Sequence, residues 1–136
     1  MSSPGGATKE KILVDLFADS YALVAYLEGN PRYVRIFGRK SLATSSMNLL
    51  EVYSTLLRKL TRDEARAITM GFIPIVVPLP PDLAYAAGDY RHAMRSAKKD
   101  CSYIDAWGYA GARHLGVKFL TGDPAFKEEE NVEFVR

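Results

Sequence analysis

The stretch ILVDLFADSYALVAYLEG, residues 12–29, changes its periodicity once, and that change decides the fold. Ile12 to Ala18 is a mostly apolar run, which reads as a buried strand. Asp19-Ser20 then opens a helix that carries Ala22, Leu23, Tyr26 and Leu27 and stops at Gly29. A buried strand running straight into a helix is the opening of an α/β domain.

The rest of the chain repeats this alternation. Asn30-Pro31 is a cap followed by a proline at the first helical position, so a short helix is expected through Phe37. Ser41 to Thr44 reads as a strand. A helix is expected over 46–60, with Leu49, Val52, Tyr53, Leu56 and Leu60 in register. Thr61 and Glu64 form a capping box that opens a helix ending near Gly71. Ile73 to Val77 reads as a strand closed by Pro78, Pro80 and Pro81. Helices over 82–97 and 102–115 follow, then a strand over 117–121, a Gly122-Asp123-Pro124 turn and a last strand over 132–135. Strands alternating with helices imply a parallel sheet covered on both faces. The expected fold is a three-layer α/β/α sandwich with a five-stranded parallel sheet. The chain of 136 residues reads as one domain over 9–136, behind a small Gly/Pro/Ser-rich tail over 1–8 that is expected to be flexible.

Composition excludes several classes. One cysteine, Cys101, can form no intramolecular disulfide, and with only His92 and His114 beside it a zinc site is not available. The longest apolar stretch is broken by Asp15, Asp19 and Ser20, so no membrane-spanning helix is expected, and a cytoplasmic location follows. Net charge is +2, but residues 29–66 carry a local +5 and residues 124–136 a local −2. A basic stretch in a near-neutral chain suits a polyanion, although solvated helix faces produce the same pattern.

Ligands of open parallel sheets bind beyond the carboxyl ends of the strands. Asp19 directly follows the first strand and Asp123 lies two residues past the fourth. Asp105 is in the first turn of its helix, whose start lies at the same end of the sheet. Glu51 is about one and a half turns into its helix, on a face with Asn48, Thr55 and Arg58. Each acid has a plain alternative. Asp19 and Asp123 are helix caps by position, Asp105 completes a capping box with Ser102, and Glu51 could pair with Arg58 or Thr55. Four acids on one rim without nearby cations raise one another's pKa, and a hard divalent cation relieves the repulsion.

The residues at these positions resemble a known family. Residues 17–29, FADSYALVAYLEG, look like the opening of a PIN-domain ribonuclease. Residues 44–52, TSSMNLLEV, are similar to its second motif, a Thr/Ser pair followed by a helical Glu. Residues 103–113, YIDAWGYAGAR, resemble the third, and residues 119–126, FLTGDPAF, the fourth. The resemblance runs over about residues 12 to 135, and the size looks most like the VapC-type toxins of VapBC toxin–antitoxin pairs. It implies the strand order 3-2-1-4-5 and an endoribonuclease dependent on Mg²⁺ or Mn²⁺, with one or two ions per site. A homodimer inhibited by a small VapB-like antitoxin is implied as well. Asp19, Glu51, Asp105 and Asp123 would be its catalytic and metal-holding residues, with Ser20 and Thr121 orienting them. Tyr21 stands where relatives often carry a second small hydroxyl residue.

Arg58, Lys98 and Lys99 are the candidates for contacts to the RNA backbone. His92 and His114 read as surface histidines, and Asp15 as structural. Met47, Met70 and Met94 read as core filler, and Tyr103, Trp107 and Tyr109 as core or dimer contacts and not as a base-stacking platform. Cys101 lacks a histidine at a meaningful spacing, which argues against a cysteine nucleophile. The alternative kept open is a catalytically inactive PIN-like RNA-binding or scaffold protein.

Overall fold

The computed structural model describes residues 13–136, so the expected tail over 1–8 lies outside the described residues. Strand β1, Leu16–Ala18, is buried along its whole length. Its alternating side chains enter two separate cores, as the period of two requires. Phe17 joins Ala43, Tyr109, Phe119 and Phe126 on one side of the sheet. Leu16 and Ala18 join Leu23, Tyr33, Leu42, Val52 and Leu120 on the other.

The elements follow in the order α1 (Ser20–Leu27), α2 (Pro31–Arg39), β2 (Leu42–Ala43), α3 (Ser46–Leu56), α4 (Arg62–Met70), α5 (Leu83–Ser96), α6 (Tyr103–Leu115), β3 (Lys118–Thr121) and β4 (Val132–Phe134). The strands lie in the order β2-β1-β3-β4, and every pairing is parallel. Phe17 sits opposite Ala43 on β2 and Phe119 on β3, and the two phenylalanine rings stack with centroids 6.1 Å apart. This is the expected three-layer α/β fold.

The fifth strand is the main correction. Residues 73–77 were expected to be extended, but Ile73–Ile75 is a turn of 3₁₀ helix, and the ladder there shrinks to one parallel bridge between Thr44 and Val76. Pro74 has no amide to donate, and Val76 N–H closes back onto the Ile73 carbonyl at 3.1 Å. The bridge still falls beside β2, so the order 3-2-1-4-5 survives with its first member reduced to a single residue pair. Helix α3 also stops earlier than expected, at Leu56, where residues 57–60 tighten into turns. Asp15 is structural, because its carboxylate accepts from Ser41 N–H at 2.8 Å at the start of β1.

Helix α6 approaches the sheet closely because its inner face is made of small residues: Ala106, Gly108, Ala110, Gly111 and Ala112 are all buried. A Cβ on Gly108 would sit 3.1 Å from both the Phe17 and Phe119 rings. That approach sets where Asp105 stands relative to the end of β1. Met94 is buried as expected, but Met47 on α3 and Met70 on α4 are 40% and 60% exposed. Their apolar character fits the helix pattern without placing them in either core.

Candidate functional site

Three of the four expected acids are held by helix starts. Asp19 caps α1, its Oδ1 accepting from Ala22 N–H at 2.9 Å. Asp105 closes a capping box with Ser102: its Oδ2 accepts from Ser102 N–H and its own N–H donates to Ser102 Oγ, both at 3.0 Å. Asp123 caps the 3₁₀ turn Pro124–Phe126, with Oδ1 accepting from Ala125 N–H at 3.0 Å. Each cap uses one carboxylate oxygen and fixes the direction of the other. Cap and candidate site are therefore one arrangement.

Asp19 is 3% exposed. Burial is the main force on its carboxyl group and pushes its pKa up to about 8; the charges of Asp105 and Asp123 add to the rise, against hydrogen bonds from Thr121 and from Ala22 N–H. Asp105 is raised too, first by burial and then by the charges of Asp123 and Glu51, while its bonds to Ser102 oppose the shift. Asp105 and Asp123 thus act on Asp19, and Asp123 and Glu51 act on Asp105, so Asp105 connects Glu51 to the other acids. Among the described residues, no three Asp, Glu, His or Cys side chains stand close enough to share one metal ion as they are placed. The donor set itself suits a hard cation, since it is all carboxylate oxygen and the charges of Asp105 and Asp123 both raise Asp19.

Thr121 and Ser20 have distinct surroundings. Thr121 is fully buried; its hydroxyl meets the Asp19 carboxylate, and its Oγ1 accepts from Asp123 N–H at 3.0 Å. It thereby links two acids. Ser20 Oγ accepts from Asn48 Nδ2 at 3.1 Å, and Ser45 Oγ donates to Asn48 Oδ1 at 2.6 Å. Asn48 is 1% exposed, so the helix face it shares with Glu51 turns inward at its start. Thr44 Oγ1 donates to the Ala18 carbonyl at 2.7 Å. Together these bonds tie the start of α3 to the end of β1. The sequence groups Asn48 with Glu51 on one helix face without giving it a role; the available signal is the polar run Thr44-Ser45-Ser46 with Asn48 two positions on.

Tyr21 packs against the Gly122 backbone, and its ring lies 6.0 Å from that of Tyr33. A Cβ on Gly122 would overlap the Tyr21 ring and the Val135 carbonyl. A bulky residue at 21 is accommodated because residue 122 has no side chain, and the pair fixes the backbone just before Asp123.

The other candidates are more scattered. Glu51 makes no ion pair among the described residues, and the Thr55 hydroxyl donates to its backbone carbonyl instead of its carboxylate. Arg58 and Lys98 are exposed, and Lys99 pairs with Glu129. His92 and His114 are exposed. Cys101 is buried, and burial pushes its thiol up to about 11, which agrees with an unreactive side chain. Of the three aromatics expected in the core or at a dimer contact, Tyr109 is buried and Trp107 half-buried, but Tyr103 is 76% exposed.

The PIN-domain family model matches residues 16–130, from the first strand past all four acids. The chain belongs to the PIN-domain family. Among solved structures, Mycobacterium tuberculosis VapC20, described as a toxin cleaving the sarcin–ricin loop, superposes with a TM-score of 0.70 at 23% identity, covering 90% of this chain and 99% of that one. VapBC2 from Rickettsia felis, bound to a promoter DNA fragment, gives 0.68 at 13% identity over 88% and 96%. FitAcB from Neisseria gonorrhoeae gives 0.68 at 16% over 88% and 96%. A comparison with curated protein sequences returns no match. At these identities the superpositions speak to the fold, and they extend the PIN architecture over nearly the whole chain. Among the described residues, no helix is long and apolar enough to cross a membrane.

Proposed function

We propose that this PIN-domain protein is a metal-dependent endoribonuclease of the VapC type, the toxin of a type II toxin–antitoxin pair. In this reading it acts in the cytoplasm as a homodimer and is restrained by a small VapB-like antitoxin. The observation that carries the reading is the state of Asp19: a carboxylate buried at the end of a parallel strand, raised to about 8, with Asp105 and Asp123 as its charged neighbours. A group in that state takes either a proton or a cation. The solved VapBC complexes of the same fold support the antitoxin partner, and VapC20 supports RNA as the substrate.

Asp19, Glu51, Asp105 and Asp123 would hold one or two Mg²⁺ or Mn²⁺ ions. A bound ion of this kind activates water and neutralises charge on the phosphate. The chain's own residues do the positioning. Thr121 holds Asp19 and Asp123 in register through one hydroxyl, and the caps aim the free carboxylate oxygens. Ser20, fixed by Asn48, orients the start of α1 beside Asp19. Arg58 and Lys98 would meet RNA phosphates, as would Lys99 on exchanging Glu129 for a phosphate.

The test is RNA cleavage by the purified protein in Mn²⁺ or Mg²⁺, with EDTA as the control, and with Asp19→Asn and Asp123→Asn. Cleavage that needs metal and is lost in both variants supports the reading; unchanged cleavage by a folded Asp19→Asn protein refutes it. One observation favours a second reading, a non-catalytic RNA-binding or scaffold protein: no three of the acids stand within reach of a common ion as placed. Absence of metal binding by the well-folded wild type would select that reading.

A further inference from the structure

An apolar cavity of about 480 Å³ opens between α3, α5 and α6, lined by Met47, Ala87, Arg91, Tyr103, Ile104 and Trp107. It lies against the candidate site on two sides. Tyr103 and Ile104 are in the same first turn of α6 as Asp105, and Met47 is one turn before Glu51 on the same face of α3. The Arg91 guanidinium lies over the Tyr103 ring at 3.9 Å from its centroid, and its Nε donates to the Cys101 carbonyl at 3.0 Å. The guanidinium is thus pinned to the loop before α6 and holds the exposed ring in one orientation. A second, more polar cavity adjoins the first through Gly88, Arg91 and Tyr103 and is lined by His92, Arg95 and Ser96. Neither lining contains an acid.

We propose that these adjoining cavities are a nucleotide subsite: one RNA base stacks on Tyr103 in the apolar cavity, and the flanking phosphates run over Arg91 and Arg95. The inference rests on the ribonuclease reading and gives it a specificity-determining site. Charge complementarity favours RNA over a protein occupant. A rigid aromatic with a basic, acid-free margin is the arrangement that binds single strands, where every base offers a stacking face and the backbone needs cations. The acidic rim beyond Asp105 repels the same backbone unless a cation intervenes, so the subsite would supply the hold that the rim lacks.

The test is anisotropy with fluorescent single-stranded RNA hexamers in EDTA, so that nothing is cleaved, with the full chain and over a salt series. Tyr103→Ala is expected to weaken binding about 5- to 150-fold, the range for one lost base stack, with Tyr103→Phe close to wild type. Arg95→Ala is expected to lower the slope of log K against log salt by about 0.7, one phosphate contact on a single strand. Both side chains are exposed, so neither change threatens the fold. Wild-type binding that Tyr103→Ala leaves unchanged overturns the subsite and leaves the ribonuclease reading standing. If that variant instead alters the sedimentation of the protein with RNA binding intact, the groove is covered by a second copy and the proposal is wrong. Absence of RNA binding by the wild type in EDTA overturns the subsite, while the ribonuclease reading stands or falls on metal-dependent cleavage.

Discussion

Replacing Asp19 by Asn should remove the pH dependence of stability that this carboxylate imposes. The folded pKa is about 8 against an ordinary value of 3.8. Between those values the folded protein holds a proton that the unfolded chain has released. Stability from this group is therefore full below the unfolded value and is lost as pH rises through the folded one. The gap is about four pH units, and at about 1.36 kcal/mol per unit the ceiling is about 5–6 kcal/mol. Water entering at the rim and relaxation of neighbouring carboxylates reduce it, so the expected loss is about 2–4 kcal/mol from about pH 5 to about pH 9. Asn keeps an oxygen to cap Ala22 N–H and cannot ionise. Removing the charge at residue 19 also eases the carboxyls coupled to it, so the difference between the two proteins reports Asp19 together with its coupling to Asp105 and Asp123. The assay is the urea midpoint in EDTA across that pH range. The variant should show the flatter curve and be the more stable protein at the alkaline end. Adding Mn²⁺ at about pH 8 should restore the wild type and not the variant, by about 2.7 kcal/mol at a hundredfold excess over the dissociation constant. Parallel curves for the two proteins in EDTA would refute the reasoning.

Other changes test the parts that position the acids. Gly122→Ala places a Cβ into the Tyr21 ring and the Val135 carbonyl; it should destabilise by about 1–3 kcal/mol in thermal or urea unfolding, and pairing it with Tyr21→Ser should recover only the part due to the ring. Asn48→Ala strips buried partners from Ser20 and Ser45 and should cost about 1–3 kcal/mol, and it should weaken Mn²⁺ binding by calorimetry through the displaced start of α1. Gly108→Ala should lower stability by lifting α6 off Phe17 and Phe119; a melting temperature equal to wild type would show that the rings yield freely. Cys101 should resist a thiol reagent at about pH 8 in the native protein and react on addition of denaturant, because it is buried and its thiol is raised to about 11.

Much of the sheet can be read from local pattern because each strand carries its own evidence. Residues 16–18 and 118–121 are short runs centred on apolar residues and followed by a cap, Asp19 at once and Asp123 after Gly122, and the structure puts strands there. The failures occur where the deciding contact is remote or absent. Residues 73–77 look as apolar as any strand, yet Pro74 and a local turn hydrogen bond leave one bridge to Thr44. Met47 and Met70 fit a helical stripe, but a stripe does not say whether another element covers it. Asn48 reads as one more polar helix residue until Ser20, 28 positions earlier, is found at its amide. Tyr103 and Tyr109 read alike, as core or dimer contacts, and only the exposure of Tyr103 and the guanidinium above it separate the two.

The same distinction explains why the acids could not be assigned from sequence by weighing a cap against a ligand. Asp19, Asp105 and Asp123 each cap, and each does so with one oxygen, so the local role is real and leaves the chemistry untouched. What marks them is collective: like charges acting on a buried carboxylate, with no cation among the groups that shift it. A cap at a helix start normally gains from being charged, through the amides and the helix dipole. Asp19 is instead shifted toward its neutral form, so its burial exceeds what capping requires. An Asn would cap as well there without that penalty. The comparison of Asp19→Asn with Asp19→Ala separates the two roles. Both remove the charge and should lose metal binding alike, but only Ala loses the cap, so only Ala should carry a further loss of about 1 kcal/mol at acidic pH, where the wild-type carboxyl is protonated. Equal acid stability of the two variants would mean that the cap contributes nothing and that the residue is held in place by the sheet alone.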